Sequence, residues 1–211
     1  MAKVSAEFLG SFLLLNAIVG SGFMATQLTD DVALQLLINA LSTVFMLGVL
    51  ISIFQNVSGA HFNPIVTFYE LLKRNIELKQ ASLYLLAQIL GAIAGTISAN
   101  LMFNTSLAQL STNDRFNSGT FLGEVLATFG LIMVISWMPT KASILVPAWI
   151  GSAYFFTSST SFANPAVTIG RIFTESFAGI SSSSALPFIA AQLIGLLLML
   201  LIGSRLVERN S

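Results

Sequence analysis

Two asparagine–proline pairs, Asn63-Pro64 and Asn164-Pro165, each stand between loop-forming residues and a short apolar segment. Asparagine is a favourable helix N-cap and proline a favourable first helical residue, so each pair predicts a helix that begins there. The N-terminus of such a helix carries unpaired N–H groups and a partial positive charge. Inside a membrane, the two amide side chains could donate hydrogen bonds to a passing solute and loop carbonyls could accept them, while the helix ends repel cations and protons.

The charge-free runs around these pairs predict the elements that hold them. A membrane-spanning helix needs about 20 apolar residues, so the runs 32–69 and 142–170 each hold one span and leave roughly 10–15 residues. These remainders contain the Asn-Pro pairs and predict two half-helices, 63–72 and 164–173, that enter the bilayer without crossing it. Full spans are expected near 4–28, 32–54, 80–103, 119–138, 143–157 and 185–206. The first of them is too long an apolar stretch for a cleaved signal peptide.

The composition excludes several other classes of protein. Of 211 residues, 55% are hydrophobic and 9% charged, and the mean hydropathy is +0.85, too apolar for a freely soluble or a disordered chain. The formal net charge is zero and there is no run of basic residues, so we expect no basic surface that would bind nucleic acid. The chain has no cysteine and one histidine, so we expect no disulfide, no metal and no cofactor. The sequence has no nucleophile motif and no pair of acidic residues that would indicate an active site, so we do not expect an enzyme.

The basic residues indicate the orientation in the membrane. With the N-terminus in the cytoplasm, every lysine and arginine except Arg115 and Arg171 lies on the cytoplasmic side, as the positive-inside rule requires. This predicts a multi-pass protein of the cell membrane, plasma or inner, with both termini cytoplasmic.

The two halves of the chain, 1–112 and 113–211, repeat the same order of motifs. Each half has a glutamate early in its first span, Glu7 or Glu124, then an Asn-Pro pair, then an Ala-Gln sequence in its last span. After three spans the chain is on the opposite side of the membrane, so the second copy is inserted in the inverted orientation. Inverted repeats of this kind place a binding site at the midplane of the bilayer. The predicted fold is therefore an all-α membrane protein with six transmembrane helices, two re-entrant half-helices and an inverted 3+3 repeat. Its predicted function is a passive pore for small uncharged molecules.

These motifs resemble the major intrinsic proteins, the aquaporin and glycerol-facilitator family, over essentially the whole chain. The second motif, Asn164-Pro165-Ala166, has the family pattern, whereas the first has Ile65 where the family has alanine. The resemblance implies a homotetramer in the lipid bilayer with one pore per subunit and small neutral solutes as its partners. It also implies that Glu7 and Glu124 brace the pore loops; a proton relay through them is the alternative.

The family's outer selectivity filter has four positions. Counted from the two asparagines, they fall on Thr43, Ser152, Ser161 and Val167. Family water channels place a bulky aromatic, a histidine, a small residue and an arginine there, so the resemblance implies a wider and less charged filter. Residues 161–171 also resemble a bacterial subgroup linked to arsenic resistance. The implied solutes are water together with glycerol, urea or arsenous acid, which is a compact neutral molecule with three hydroxyl groups.

Two further residues have open roles. Arg171 follows Val167 by one helical turn, so it either enters the outer mouth in place of the missing arginine or lies at the aqueous rim near Glu175. His61, two residues before the first Asn-Pro pair, is expected to line the cytoplasmic mouth or to be structural rather than to bind a metal. A water-selective aquaporin and an ion-coupled secondary transporter stay as alternative functions.

Overall fold

The computed structural model describes residues 1–207, with side chains described as far as Gly203. Over these residues all the regular secondary structure is helical, and there is no strand. Its eight α-helices are α1 (Ala2–Leu28), α2 (Val32–Phe54), α3 (Pro64–Leu72), α4 (Leu78–Met102), α5 (Ser118–Trp137), α6 (Ala142–Phe156), α7 (Pro165–Gly170) and α8 (Ser182–Val207). The all-helical fold with six long helices and two half-helices, α3 and α7, is confirmed.

The long helices match the predicted spans closely. Five of them, α1, α2, α4, α5 and α8, are long and apolar enough to cross a membrane. The sixth, α6, has 15 residues and is preceded by a 3₁₀ turn, Pro139–Lys141. At 1.5 Å per residue α6 is about 22 Å long, shorter than a hydrocarbon core of about 30 Å.

Small residues allow the long helices to pack closely in two equivalent pairs, α1 with α4 and α5 with α8. A Cβ atom at Gly91 of α4 would lie 2.3 Å from the carbonyl oxygen of Phe8 in α1. A Cβ atom at Gly195 of α8 would lie 2.6 Å from the carbonyl oxygen of Val125 in α5. Only glycine permits these backbone contacts, which bring the polar groups of each helix pair within bonding distance.

The loops before the two half-helices share an unusual backbone. Ala60 and Phe62 have φ values of 52° and 48°, and Ser161 and Ala163 have values of 52° and 46°. These residues occupy the same two positions before each asparagine, and none of them is glycine. Left-handed backbone costs about 1–2 kcal/mol per residue without glycine, so both loops need bonds from their surroundings to keep this shape.

The outer surface of the bundle is apolar. Large hydrophobic side chains are exposed on α2, α4, α5 and α8, for example Phe45, Leu86, Leu122 and Leu186. A surface of this extent could not face water in a soluble protein, and it identifies an integral membrane protein whose solvent is lipid.

Candidate pore and its filter

A cavity of about 620 Å³ runs between the two half-helices and is lined by both Asn63 and Asn164. Because α3 and α7 begin at these asparagines and point away from each other, their last residues lie towards opposite ends of the cavity. We call the end lined by Glu70 and Thr140 the inner end, and the end lined by Arg171 the outer end. The single cavity thus extends to both sides of the point where the half-helices meet.

Each asparagine donates a hydrogen bond to the loop that precedes the other asparagine. Asn63 Nδ2 donates to the carbonyl oxygen of Ala163 at 2.8 Å, and Asn164 Nδ2 donates to that of Phe62 at 2.9 Å. Each acceptor is the residue directly before the opposite asparagine, so the two loops are related by an approximate two-fold axis. An amide carries two N–H groups, and one of each pair stays available to a solute in the cavity.

Each asparagine also caps its own half-helix. Asn63 Oδ1 accepts a hydrogen bond from the N–H of Ile65 at 2.9 Å. Asn164 Oδ1 accepts from the N–H groups of Ala166 at 2.9 Å and Val167 at 3.2 Å. With Pro64 and Pro165 at the first helical positions, both half-helices begin where the sequence predicted. The side chains of the asparagines are therefore fixed by the helices that they start.

Glu7 is a fully buried acceptor for the first loop. Its Oε1 accepts from Ser58 Oγ at 2.6 Å and from the N–H of His61 at 3.0 Å. Its Oε2 accepts from the N–H of Phe62 at 2.7 Å and from Gln88 Nε2 at 2.8 Å. Every one of these partners is a donor, which suits a carboxylate with its four acceptor positions. These bonds hold the loop in its left-handed conformation.

Glu124 makes the equivalent set of bonds to the second loop. Its oxygens accept from the N–H groups of Phe162 and Ala163, both at 2.8 Å, and from Gln192 Nε2 at 2.7 Å. Gln192 Nε2 also contacts Thr168 Oγ1 at 3.0 Å, as Gln88 Nε2 contacts the matching threonine of α3. Neither glutamate is among the residues that line the cavity. The sequence pointed to the glutamates and glutamines but not to these threonines, although both follow an Asn-Pro pair at the same spacing.

Ile65 and Ala166, the third residues of the two motifs, are both fully buried. Ile65 packs in an apolar cluster with Tyr69 of its own half-helix, Ile132 of α5 and Leu196 of α8. The larger side chain therefore fills space between helices and is not among the residues that line the cavity.

His61 lines the cavity towards its inner end. Its Nδ1 is 3.0 Å from Thr67 Oγ1, and its ring lies edge-on to the ring of Tyr84 with the centroids 5.3 Å apart. Within residues 1–207, no group of three histidine or acidic side chains could hold a metal ion.

Three of the four counted filter positions lie on the cavity: Thr43, Ser161 and Val167. Ser152 does not line the cavity; it is exposed at the surface of the helix bundle, on the side of α6 that faces away from the cavity. Tyr154 lines the cavity instead. Two positions along an α-helix correspond to a rotation of about 200°, so an error of two residues in the alignment selects the opposite face of the helix. Three consecutive aromatic residues begin two positions after Ser152, and the sequence does not distinguish which of them faces the cavity.

Hydrogen bonds order two of the hydroxyl groups that line the cavity. Thr43 Oγ1 donates to the carbonyl oxygen of Asn39 at 2.8 Å, so the Tyr154 hydroxyl, 3.1 Å away, donates to Thr43. This bond links α2 to α6 at the outer end. Ser161 Oγ is buried and has no partner within the described chain, which leaves it free for a solute.

Arg171 lies in the outer end of the cavity and is 3% exposed. Its guanidinium carbon lies 3.5 Å from the centroid of the Phe162 ring, and its Nε donates to the carbonyl oxygen of Ala178. Glu175, the partner that the alternative interpretation offered, instead accepts from the N–H and Oγ1 of Thr112 at 2.6 and 2.8 Å. The structure therefore places Arg171 on the same cavity as Ser161 and Val167 and does not pair it with Glu175.

A passage between two opposed half-helices, inside a bundle of membrane-spanning helices, defines a membrane channel. The chain belongs to the major intrinsic protein family, whose sequence profile, described as "Major intrinsic protein", matches residues 1–161. It is therefore an aquaporin-type channel for water and small solutes, in a family of passive channels rather than enzymes.

Relatives support the same assignment. The chain is 42% identical over 194 residues to "Aquaglyceroporin AqpS" of Rhizobium meliloti (strain 1021), covering 90% of this chain and 83% of that one. It is 33% identical over 184 residues to a "Probable aquaporin TIP-type" of Medicago truncatula, covering 78% and 72%. In fold it is similar to the X-ray structure of the aquaglyceroporin from Plasmodium falciparum, with a TM-score of 0.71, 22% identity and coverage of 93% and 92%.

Proposed function

We propose that this protein passes small uncharged hydroxylated solutes as well as water: glycerol, urea and neutral molecules such as arsenous acid. The observation that carries this proposal is the mixed surface of the outer end. Thr43, Ser161 and Tyr154 supply hydroxyl groups there, whereas Val167 and Phe162 supply apolar surface. A polyol has hydroxyl groups and C–H groups and can contact both kinds of surface at once.

Charge supports the exclusion of cations. Arg171 places a positive charge in the outer end, and the half-helices direct their positive N-terminal ends at the middle of the cavity. A cation at about 4 Å from one guanidinium would be repelled by roughly 4 kcal/mol at an effective dielectric constant near 20. A neutral solute meets no such barrier and can accept hydrogen bonds from the same groups. The filter in this proposal keeps an arginine, supplied from one turn beyond the family position.

The assembly in this proposal is a homotetramer in the cell membrane, with both termini cytoplasmic and the repeats 1–112 and 113–211 inverted about the Asn-Pro pairs. The outer end then faces the outside of the cell. Native mass spectrometry of the purified protein should give four copies, and protease protection in oriented vesicles should place both termini on one side.

Flux into proteoliposomes tests the solute range. We expect water, glycerol, urea and arsenous acid to enter without saturation and without dependence on an ion gradient. Val167→Arg should reduce glycerol entry before water entry because it narrows the filter, while Val167→Ile, which adds one methylene group, should have a small effect. Entry of water alone would favour a water-selective aquaporin. Saturable flux that follows an ion gradient would favour a secondary transporter.

A further inference from the structure

We infer that Arg115, in the loop between α4 and α5, is a positioning residue that holds Arg171 in the filter. This inference rests on the proposed filter role of Arg171. Arg115 is not among the residues that line the cavity, so it would act through the chain segment between the two arginines. That segment is residues 177–179, which precede α8.

The carbonyl groups of this segment point alternately to the two arginines. Arg115 Nε donates to the carbonyl oxygen of Gly179 at 2.6 Å, and its Nη2 donates to that of Phe177 at 2.7 Å. The carbonyl between them, on Ala178, accepts from Arg171 Nε. A guanidinium group is a rigid fork, so two bonds from one side chain fix both the position and the direction of the segment. The acceptor for Arg171 is fixed as a result.

Arg115 is itself held firmly. Its N–H donates to Ser184 Oγ at 2.9 Å in the first turn of α8, and its guanidinium carbon lies 5.7 Å from the centroid of the Phe162 ring. A second bond joins the two loops nearby: the N–H of Ser181 donates to the carbonyl oxygen of Asn113 at 2.7 Å. The guanidinium group of Arg115 therefore extends from a backbone that is itself held in place.

Arg171 depends on this acceptor for its orientation. Within the described residues the one hydrogen bond of its side chain to protein runs from Nε to Ala178, and its guanidinium group stacks on Phe162. Its terminal nitrogens stay available to a solute. A long side chain with four rotatable bonds has many other conformations, so the Ala178 carbonyl and the ring select one of them.

Gly179 gives a second route to the same segment without a change of charge. A Cβ atom there would lie 2.4 Å from the carbonyl oxygen of Thr174 and 2.4 Å from Ser111 Oγ. Because the first of these atoms is backbone, rotation of a side chain cannot relieve the clash in Gly179→Ala, and we expect residues 177–179 to move. The move shifts the carbonyl that Arg171 uses, although Arg115 and its charge are unaltered.

The test measures the glycerol-to-water permeability ratio and the cation leak in proteoliposomes. We expect Arg171→Ala to raise both. Arg115→Ala should change both in the same direction by several-fold, and the double variant should match Arg171→Ala alone, since both substitutions remove the same interaction. Arg115→Lys keeps the charge but loses the fork, so its permeability ratio should resemble that of Arg115→Ala. Gly179→Ala should shift the ratio in the same direction.

The control is Gln109→Ala, at an exposed position of the same loop, which should leave both quantities unchanged. An unchanged ratio in Arg115→Ala, a wild-type ratio in Arg115→Lys, or additive effects in the double variant would overturn the positioning role. If Arg115→Ala fails to give folded protein, Arg115→Lys and Gly179→Ala decide the question in the same way. An unchanged ratio in Arg171→Ala would instead overturn the proposed filter.

Discussion

Replacing Asn63 or Asn164 by alanine removes two kinds of hydrogen bond at once. The first is the cap on the half-helix, which serves one N–H group at Asn63 and two at Asn164. The second is the bond from Nδ2 to a carbonyl oxygen of the opposite loop. Both asparagines are almost fully buried, so neither bond is simply exchanged for bulk water.

The size of the effect follows from these bonds. An N-cap contributes roughly 1 kcal/mol, and a neutral buried hydrogen bond contributes about 1 kcal/mol. Ala163 and Phe62 line the cavity, so water in the pore can reach the freed carbonyls and the cost stays near these averages. Asn63→Ala should therefore lower the free energy of unfolding by about 2 kcal/mol, and Asn164→Ala by slightly more because its cap serves two donors.

Thermal unfolding of the purified protein in one detergent measures this effect. For a chain of this length 1 kcal/mol corresponds to roughly 2–4 °C, so we expect a decrease in Tm of about 4–8 °C. Asn63→Ser is the matched control: serine keeps the capping oxygen but is too short to reach the opposite loop, so it should show about half of the decrease. Equal effects of serine and alanine, or a smaller effect at Asn164 than at Asn63, would refute the reasoning.

Two further predictions concern helix packing and the outer loops. Gly91→Ala should separate α1 from α4 and sharply reduce the yield of folded protein in size-exclusion chromatography, because its Cβ atom would lie 2.3 Å from the Phe8 carbonyl oxygen. The carboxylate of Glu175 accepts hydrogen bonds from the backbone N–H and from the hydroxyl group of Thr112. These bonds, above all the one from the N–H, lower the pKa of Glu175 below its ordinary 4.5. The contact between the loops is therefore complete above pH 4.5 and is lost as the pH falls through the lowered pKa. Hydrogen-exchange protection factors of residues 103–117 should follow that dependence in the wild type and lose it in Glu175→Gln.

The half-helices were predictable because their signals are local. An Asn-Pro pair after a loop determines where a helix begins, and the surrounding charge-free run is too short for a second span. The structure begins α3 at Pro64 and α7 at Pro165, in agreement with this. The two glutamates were predictable as special because a charge inside a span is costly and needs partners.

The lining of the outer end was less predictable because its residues come from separate helices. Counting back from Asn164 led to Ser152, but the rotation of α6 brings Tyr154 to the cavity. A count along the chain carries no information about that rotation, which depends on packing against neighbouring helices. The same limit applied to Arg171, for which the sequence allowed two directions of a long side chain.

The sequence by itself determined that this chain spans a membrane, that it has two half-helices, and that the same order of motifs occurs twice. These properties depend on hydrophobicity, local helix signals and order, all of which are written along one chain. Only the tertiary structure decided that each asparagine bonds to the opposite loop, that Tyr154 rather than Ser152 lines the cavity, and that Arg171 bonds to Ala178. These properties depend on the relative rotation and depth of helices that are far apart in sequence, which side-chain packing sets and local preference does not.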